Sequence, residues 1–399
     1  MGEGHHAGGI FDGRASTSLY GDNSAFAGMG IVKNNSASGR SAPTFCSVTA
    51  GGQAVWVLEN CLYTYDKKNL AGTIDASISG STIAFGAIKG QAVLSAGGAS
   101  MIVNVVELGS ANTDFETWLS FTSTYAERPH NYATLKKVGS GTMTFGGGPT
   151  HPCWVTNVLA GGVWKMNDPR SLATPSNGTG GQVETTIVFD GGTVAFGEEF
   201  VDAEGTTLDI SKNIRNSTKP VSVEVGEGQN VTWATALAES NVGGLIKKGA
   251  GTLTLAATPA NKYVRVEEGV LSLADDVRIF WDIRSTGSVS GGTITQYGLL
   301  PETTLVYSET PVSGGNHTTH LENLVGVDVS AFTGEVTKET KIVLATSTAF
   351  KGLTRRQLAA LPSEWGAVEK PANVVFVVRV VDGQLVVANK AVGLAIIIK

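Results

Sequence analysis

Apolar and polar residues alternate along most of this chain in short runs that end at glycines. At 135–145 the sequence reads L-K-K-V-G-S-G-T-M-T-F, and at 245–255 it reads L-I-K-K-G-A-G-T-L-T-L. In each copy a partly basic lead-in reaches a Gly-x-Gly corner, Gly139 and Gly141 or Gly249 and Gly251. A strand of period two follows. Its outward face carries Thr142 and Thr144, or Thr252 and Thr254, and its inward face carries Met143 and Phe145, or Leu253 and Leu255. Glycine tolerates the backbone angles of a tight corner, and period two gathers the apolar residues on one side. The pattern therefore predicts strand–corner–strand coils rather than amphipathic helices.

Other landmarks recur in the same order, at spacings of 108 to 115 residues. The Trp56 segment returns at Trp164, S-T-I-A-F-G at 81–86 returns as G-T-V-A-F-G at 192–197, and T-W-L-S at 117–120 returns as T-W-A-T at 232–235. We read this order as an internal duplication of about 110 residues. The expected organisation is a loose lead-in over 1–25, then a solenoid over 26–329, with units 51–161 and 162–268 and a degenerate third unit 269–329. A cap over 330–399 closes the exposed strand edges. Within the cap, K-I-V-L-A-T at 341–346 reads as a strand and 354–362 as the one helix. Thr354 and Gln357 form a capping box there, and Pro362 stops the helix. Residues 373–388 read as a hairpin turning at Asp382-Gly383. The fold class expected is all-β: a right-handed parallel β-helix, or β-solenoid, with a strand-rich C-terminal cap containing one short helix.

Composition sharpens this picture. Glycine makes up 51 of 399 residues, 42% are hydrophobic and only 16% are charged. That composition suits many corners around a continuous core. The net charge of −6 comes with no basic stripe, which argues against nucleic acid as a partner. Cys46, Cys61 and Cys153 are too few and too irregularly spaced for a disulfide framework or a zinc site, although a single bridge stays open. No apolar run reaches the length of a membrane span, and no export signal precedes the lead-in. The chain thus reads either as cytoplasmic or as trimmed of its signal.

The paired corners resemble the autotransporter-associated β-strand repeat. Trp233, the K-K-G-A-G-T-L-T-L run at 247–255 and the V-E-E-G-V-L-S-L run at 266–273 match it well; Trp118, 137–145 and 158–166 match it more weakly. The resemblance implies a parallel β-helix in an exported bacterial surface or secreted passenger, with the export signal trimmed. It carries no catalytic residues and no cofactor; its signature residues are structural. The membrane-embedded barrel of true autotransporters has no counterpart in this sequence.

Candidate chemistry is thin. Asp275, Asp276, Arg278 and Asp282, with Arg284 close, are the best carboxylate–cation group for a polysaccharide lyase or hydrolase. His317, His320 and Glu322 offer metal-ligand types at loop spacing. Glu198, Glu199 and Asp202 form a second acidic cluster, and Glu267-Glu268 a third at a corner. His130 and His151 flank the first corner. Lys136-Lys137 and Lys247-Lys248 recur beside the corners, which predicts an outward ladder or edge protection, or else a glycan- or anion-binding stripe. Trp56, Trp118, Trp164 and Trp233 fall at recurring inward positions and are expected in the core. The leading expectation is a structural or adhesion-type module whose partners are surface glycans or copies of itself. A polysaccharide-active enzyme and a glycan-binding module are the alternatives.

Overall fold

The computed structural model describes residues 9–12, 17–19, 28–33, 43–45, 54–59, 72–76, 82–96, 104–123, 132–146, 154–167, 185–202 and 204–390. The cysteines, His130 and His151, the tail 391–399 and most of the lead-in lie outside these. Strand dominates the chain and pairs in parallel, so the architecture is a parallel β-solenoid with one short helix. Among the described residues every named strand pair is parallel except two in the C-terminal sheet. There Gln384–Asn389 runs antiparallel to both Lys341–Thr346 and Phe376–Val381.

The stacking follows from the alternation. Thr142–Phe145 and Thr252–Leu255 each turn alternate side chains inward, as the sequence predicts. Met143, Phe145, Leu253 and Leu255 are buried, and each such side chain contributes roughly 1.5–3 kcal/mol. Trp56, Trp164 and Trp233 are core residues too, and Trp164 meets Phe145 edge-on at 5.5 Å between ring centroids. The Trp118 backbone pairs with Gln91, and its side chain lies outside the described residues. One hydrophobic cluster runs from Ala54 to Ile279 and a second from Ile283 to Val387.

The two copies of the repeated motif stand in different columns of this stack. Thr142–Phe145 pairs with Val163–Met166, that with Thr193–Phe196, that with Val221–Glu224, and that with Leu245–Lys248. The strand after the first Gly-x-Gly corner is thereby stacked over the strand before the second. The Thr82–Phe85 landmark likewise stacks towards Thr186–Phe189, not towards Thr193–Phe196. Coil length explains the slip. A coil takes eighteen residues where Thr252 pairs with Val270 and thirty where Val163 pairs with Thr193, because the corners carry loops of different length. The 110-residue spacing is therefore not a whole number of coils, and the Gly-x-Gly unit is a local corner device that serves more than one corner.

Parallel stacking also continues beyond residue 330. Thr318–His320 pairs with Ala349–Lys351, and Leu324–Val329 with Ser363–Trp365. The hairpin 376–389 closes this end, turning at Asp382 and Gly383, both with positive φ. That is the two-residue geometry Asp-Gly favours. The helix Arg355–Ala360 has the full capping box from Thr354 and Gln357, and it buries Leu358. Thr354→Ala should lower the stability of this end by about 1 kcal/mol, because the Gln357 N–H loses its acceptor. Hydrogen exchange of the 354–361 amides would report it; unchanged protection would mean that the cap does not hold the helix.

Candidate functional site

The recurring lysines overturn the expectation of an outward ladder. Lys137, the last residue of Tyr132–Lys137, and Lys247, the third of Leu245–Lys248, both turn inward and are only 1% and 0% exposed. Their stems pack in the core and their heads turn back onto corner carbonyls. The Lys137 Nζ donates to Val138 at 2.6 Å, Gly139 at 3.1 Å and Gly161 at 3.3 Å. The Lys247 Nζ donates to Lys248 at 3.0 Å, to Gly249, and to Glu268 at 3.1 Å. Each ammonium thus joins its own corner to the corner of the next coil. Burial pulls both lysines down to about 8 from an ordinary 10.5, opposed by Asp114 beside Lys137 and by Glu268 beside Lys247. Their neighbours in sequence do face outward: Lys136 pairs with Glu107 at 3.2 Å, and Lys248 reaches the Thr193 hydroxyl.

The glycines serve the same corners. Gly139 and Gly249 take φ of 71° and 73°, in the left-handed region that side chains disfavour. Gly141 and Gly251 are needed for closeness, since a Cβ on either would overlap a backbone carbonyl of the preceding coil.

The acidic group of 275–282 is split by its strand. Asp275, Asp276 and Arg278 are exposed on Val270–Asp282, and no ion pair joins them among the described residues. Asp282 is buried. It accepts from the Arg284 Nε and Nη2 at 2.9 and 2.6 Å, from the Arg284 backbone N–H at 2.9 Å, and from the Leu300 N–H at 2.7 Å. Those bonds make it a tie between the strand and the 299–302 turn. Asp202 holds a turn by accepting from the Glu204 and Thr206 N–H groups, and Glu198 and Glu199 are exposed. His317 lies flat on Tyr297, at 3.7 Å and 8°, while His320 approaches Glu322 at 3.4 Å. Glu322 also accepts from Gln296. The histidines and Glu322 are therefore not gathered round one point; among the described residues no group of three or more His, Cys, Asp or Glu side chains could hold a metal.

The structure does form a cleft that the sequence reading missed. It measures about 380 Å³ and lies between the outward side of the stacked strands at Ile246 and Arg265 and the segment 300–304, a turn leading into the strand Thr303–Val306. Ile246 and Arg265 are paired neighbours in one column. Three cations line it. Arg284 is held by Asp282 and by the Thr303 hydroxyl at 2.9 Å. Among the described residues Arg265 has one partner, Glu267 at 3.2 Å, and its Nε is buried with no hydrogen bond. Lys219 reaches, among the same residues, only Glu302, at 3.5 Å and largely in solvent. Glu302 is the one carboxylate among the described lining residues, and its φ of 54° is left-handed, unusual for a residue other than Gly, Asn or Asp. Val242, Ile246 and Leu300 supply aliphatic surface, and Thr218 and Thr304 supply hydroxyls. With three cations against a single carboxylate among the described lining residues, the cleft is equipped to hold an anion. Arg265 and Lys219 are separated in sequence by coils of unequal length and no motif marks them, while Arg284 enters the sequence reading only as a neighbour of Asp282.

The fold defines a parallel β-solenoid. No protein-family model matches the chain, and comparison with curated proteins and with solved structures finds no match.

Proposed function

We propose that the chain is an exported structural or adhesion-type β-solenoid module of a bacterial surface or secreted protein, of the kind that carries autotransporter-associated repeats. The observation that carries this reading is the use made of the recurring polar residues. Lys137 and Lys247 are consumed in joining corner to corner, Gly141 and Gly251 in letting coils approach, and Asp282 in tying a loop. A chain whose repeated signature is spent on stacking is built to extend and present a surface. Protease added to intact cells that make the protein should degrade it while a cytoplasmic marker survives. Full protection until lysis would sink the surface assignment.

The second reading, a glycan-binding module, is favoured by the cationic cleft. The enzymatic reading is tested by following new reducing ends and unsaturated uronide absorbance on acidic and neutral polysaccharides, with and without Ca²⁺. We expect no turnover. Turnover abolished by Asp276→Ala would instead place a catalytic site on the exposed stretch of Val270–Asp282.

A further inference from the structure

We propose that the cleft between Arg265 and the 300–304 segment binds a sugar acid: a hydroxylated ring that carries one carboxylate. The inference does not depend on where the chain resides. It rests first on unequal satisfaction of the three cations. Arg284 has two carboxylate oxygens and a hydroxyl as acceptors, so it is a fixed part of the wall. Among the described residues Arg265, with five N–H groups, has one partner, and Lys219 has a single exposed partner. A guanidinium with unused donors in a concave site matches a carboxylate, which accepts through two oxygens in one plane.

The second support is Glu302. Its left-handed backbone belongs to the Pro301-Glu302 turn, and its carboxylate stands 3.5 Å from Lys219, largely in solvent, at the edge of the cleft. The role that fits is a stand-in: Glu302 occupies Lys219 until an incoming carboxylate displaces it. The third support is the remaining lining. Ile246 and the exposed Val242 offer aliphatic surface for the C–H face of a ring, and Thr304 offers a hydroxyl for ring hydroxyls. An inorganic anion would gain nothing from that surface. A volume of about 380 Å³ lies at the small end of ligand clefts, which run roughly 300–1,000 Å³, and suits one or two rings.

Calorimetric titration of the full chain with a trimer of galacturonic acid tests the proposal. The neutral galactose trimer, triglutamate and sulfate are titrated beside it. The acidic trimer is expected to bind at sub-millimolar concentration and at least tenfold more tightly than each of the other three. Arg265→Met should weaken it at least tenfold, Lys219→Ala several-fold, and Glu302→Gln should tighten it several-fold by removing the competing carboxylate. Lys219 is exposed, so its variant reports on the site even if Arg265→Met unfolds. Absent binding, equal binding of the neutral trimer, or affinity unchanged in both Arg265→Met and Lys219→Ala would overturn the proposal. Sulfate binding as tightly would leave a simple anion site, and triglutamate binding as tightly would leave a peptide site; either overturns the sugar.

Discussion

Lys247→Met is expected to lower the unfolding free energy by about 3 kcal/mol, whereas Lys136→Met costs no more than about 0.5 kcal/mol. Methionine keeps the apolar stem and volume but withdraws the ammonium, leaving the carbonyls of Lys248, Gly249 and Glu268 without their donor. Each orphaned buried acceptor costs roughly 1–3 kcal/mol, and the neighbouring coil offsets part of the loss by relaxing. Lys136 loses only a half-exposed pair with Glu107, the kind worth about 0–1 kcal/mol. Denaturant melts of the three proteins decide the matter; equal midpoints for the two variants would show that the buried lysine is not a staple.

Wild type and Lys247→Met should also differ in pH dependence. Lys247 is near 8 in the folded chain and near 10.5 when unfolded. Below pH 8 both states carry the proton and the burial cost is present in full. Between about 8 and 10.5 the unfolded chain binds more protons, so stability rises with pH. The wild type should therefore gain on Lys247→Met by roughly 1–3 kcal/mol between pH 7.5 and pH 10, at about 1.36 kcal/mol for each pKa unit realised. A gap that stays constant over this range would show that the folded lysine keeps its ordinary affinity for the proton.

Gly251→Ala should cost at least 3 kcal/mol, while Gly228→Ala costs about 1–2 kcal/mol. The new Cβ at 251 would overlap the Gly226 carbonyl oxygen and stand 2.7 Å from that of Gln229, both rigid backbone of the coil above. The coils would have to separate, which breaks the Gly251 N–H bond to Val225 and the Thr252 N–H bond to Gln229. Gly228 has a positive φ of 75° but open space around its Cβ position, so alanine there meets only the left-handed backbone penalty. Limited proteolysis should open the Gly251 variant at 226–251 first. Equal stability of the two variants would mean that the corners are not closely stacked.

The alternation at 142–145 and 252–255 made the inward residues legible before any coordinates, because a strand with one buried face must write its apolar residues at every second position. The Thr354 capping box and the Asp382-Gly383 turn were legible for a similar reason: both are satisfied within a few residues of backbone. Lys137 and Lys247 were half legible. Their recurrence beside a corner marked them as structural, but the inward direction of a lysine contradicts its usual preference. Only the inward-pointing carbonyls of two successive corners make that direction favourable. Asp282 was singled out for its charge, and its partners at Arg284 and Leu300 turned it into a tie. The cleft was not legible at all, since Lys219, Arg265 and Glu302 meet only after the chain has completed coils of unequal length.

The sequence by itself determined the elements, the corners and the identity of the core, because each depends on residues within one strand and one turn. The tertiary structure alone decided which strand lies over which. Stacking register accumulates over loops whose lengths differ from coil to coil, so two nearly identical motifs came to rest in different columns. It also decided where unused charge collects, because a cleft is a property of the surface that the stacked coils present together.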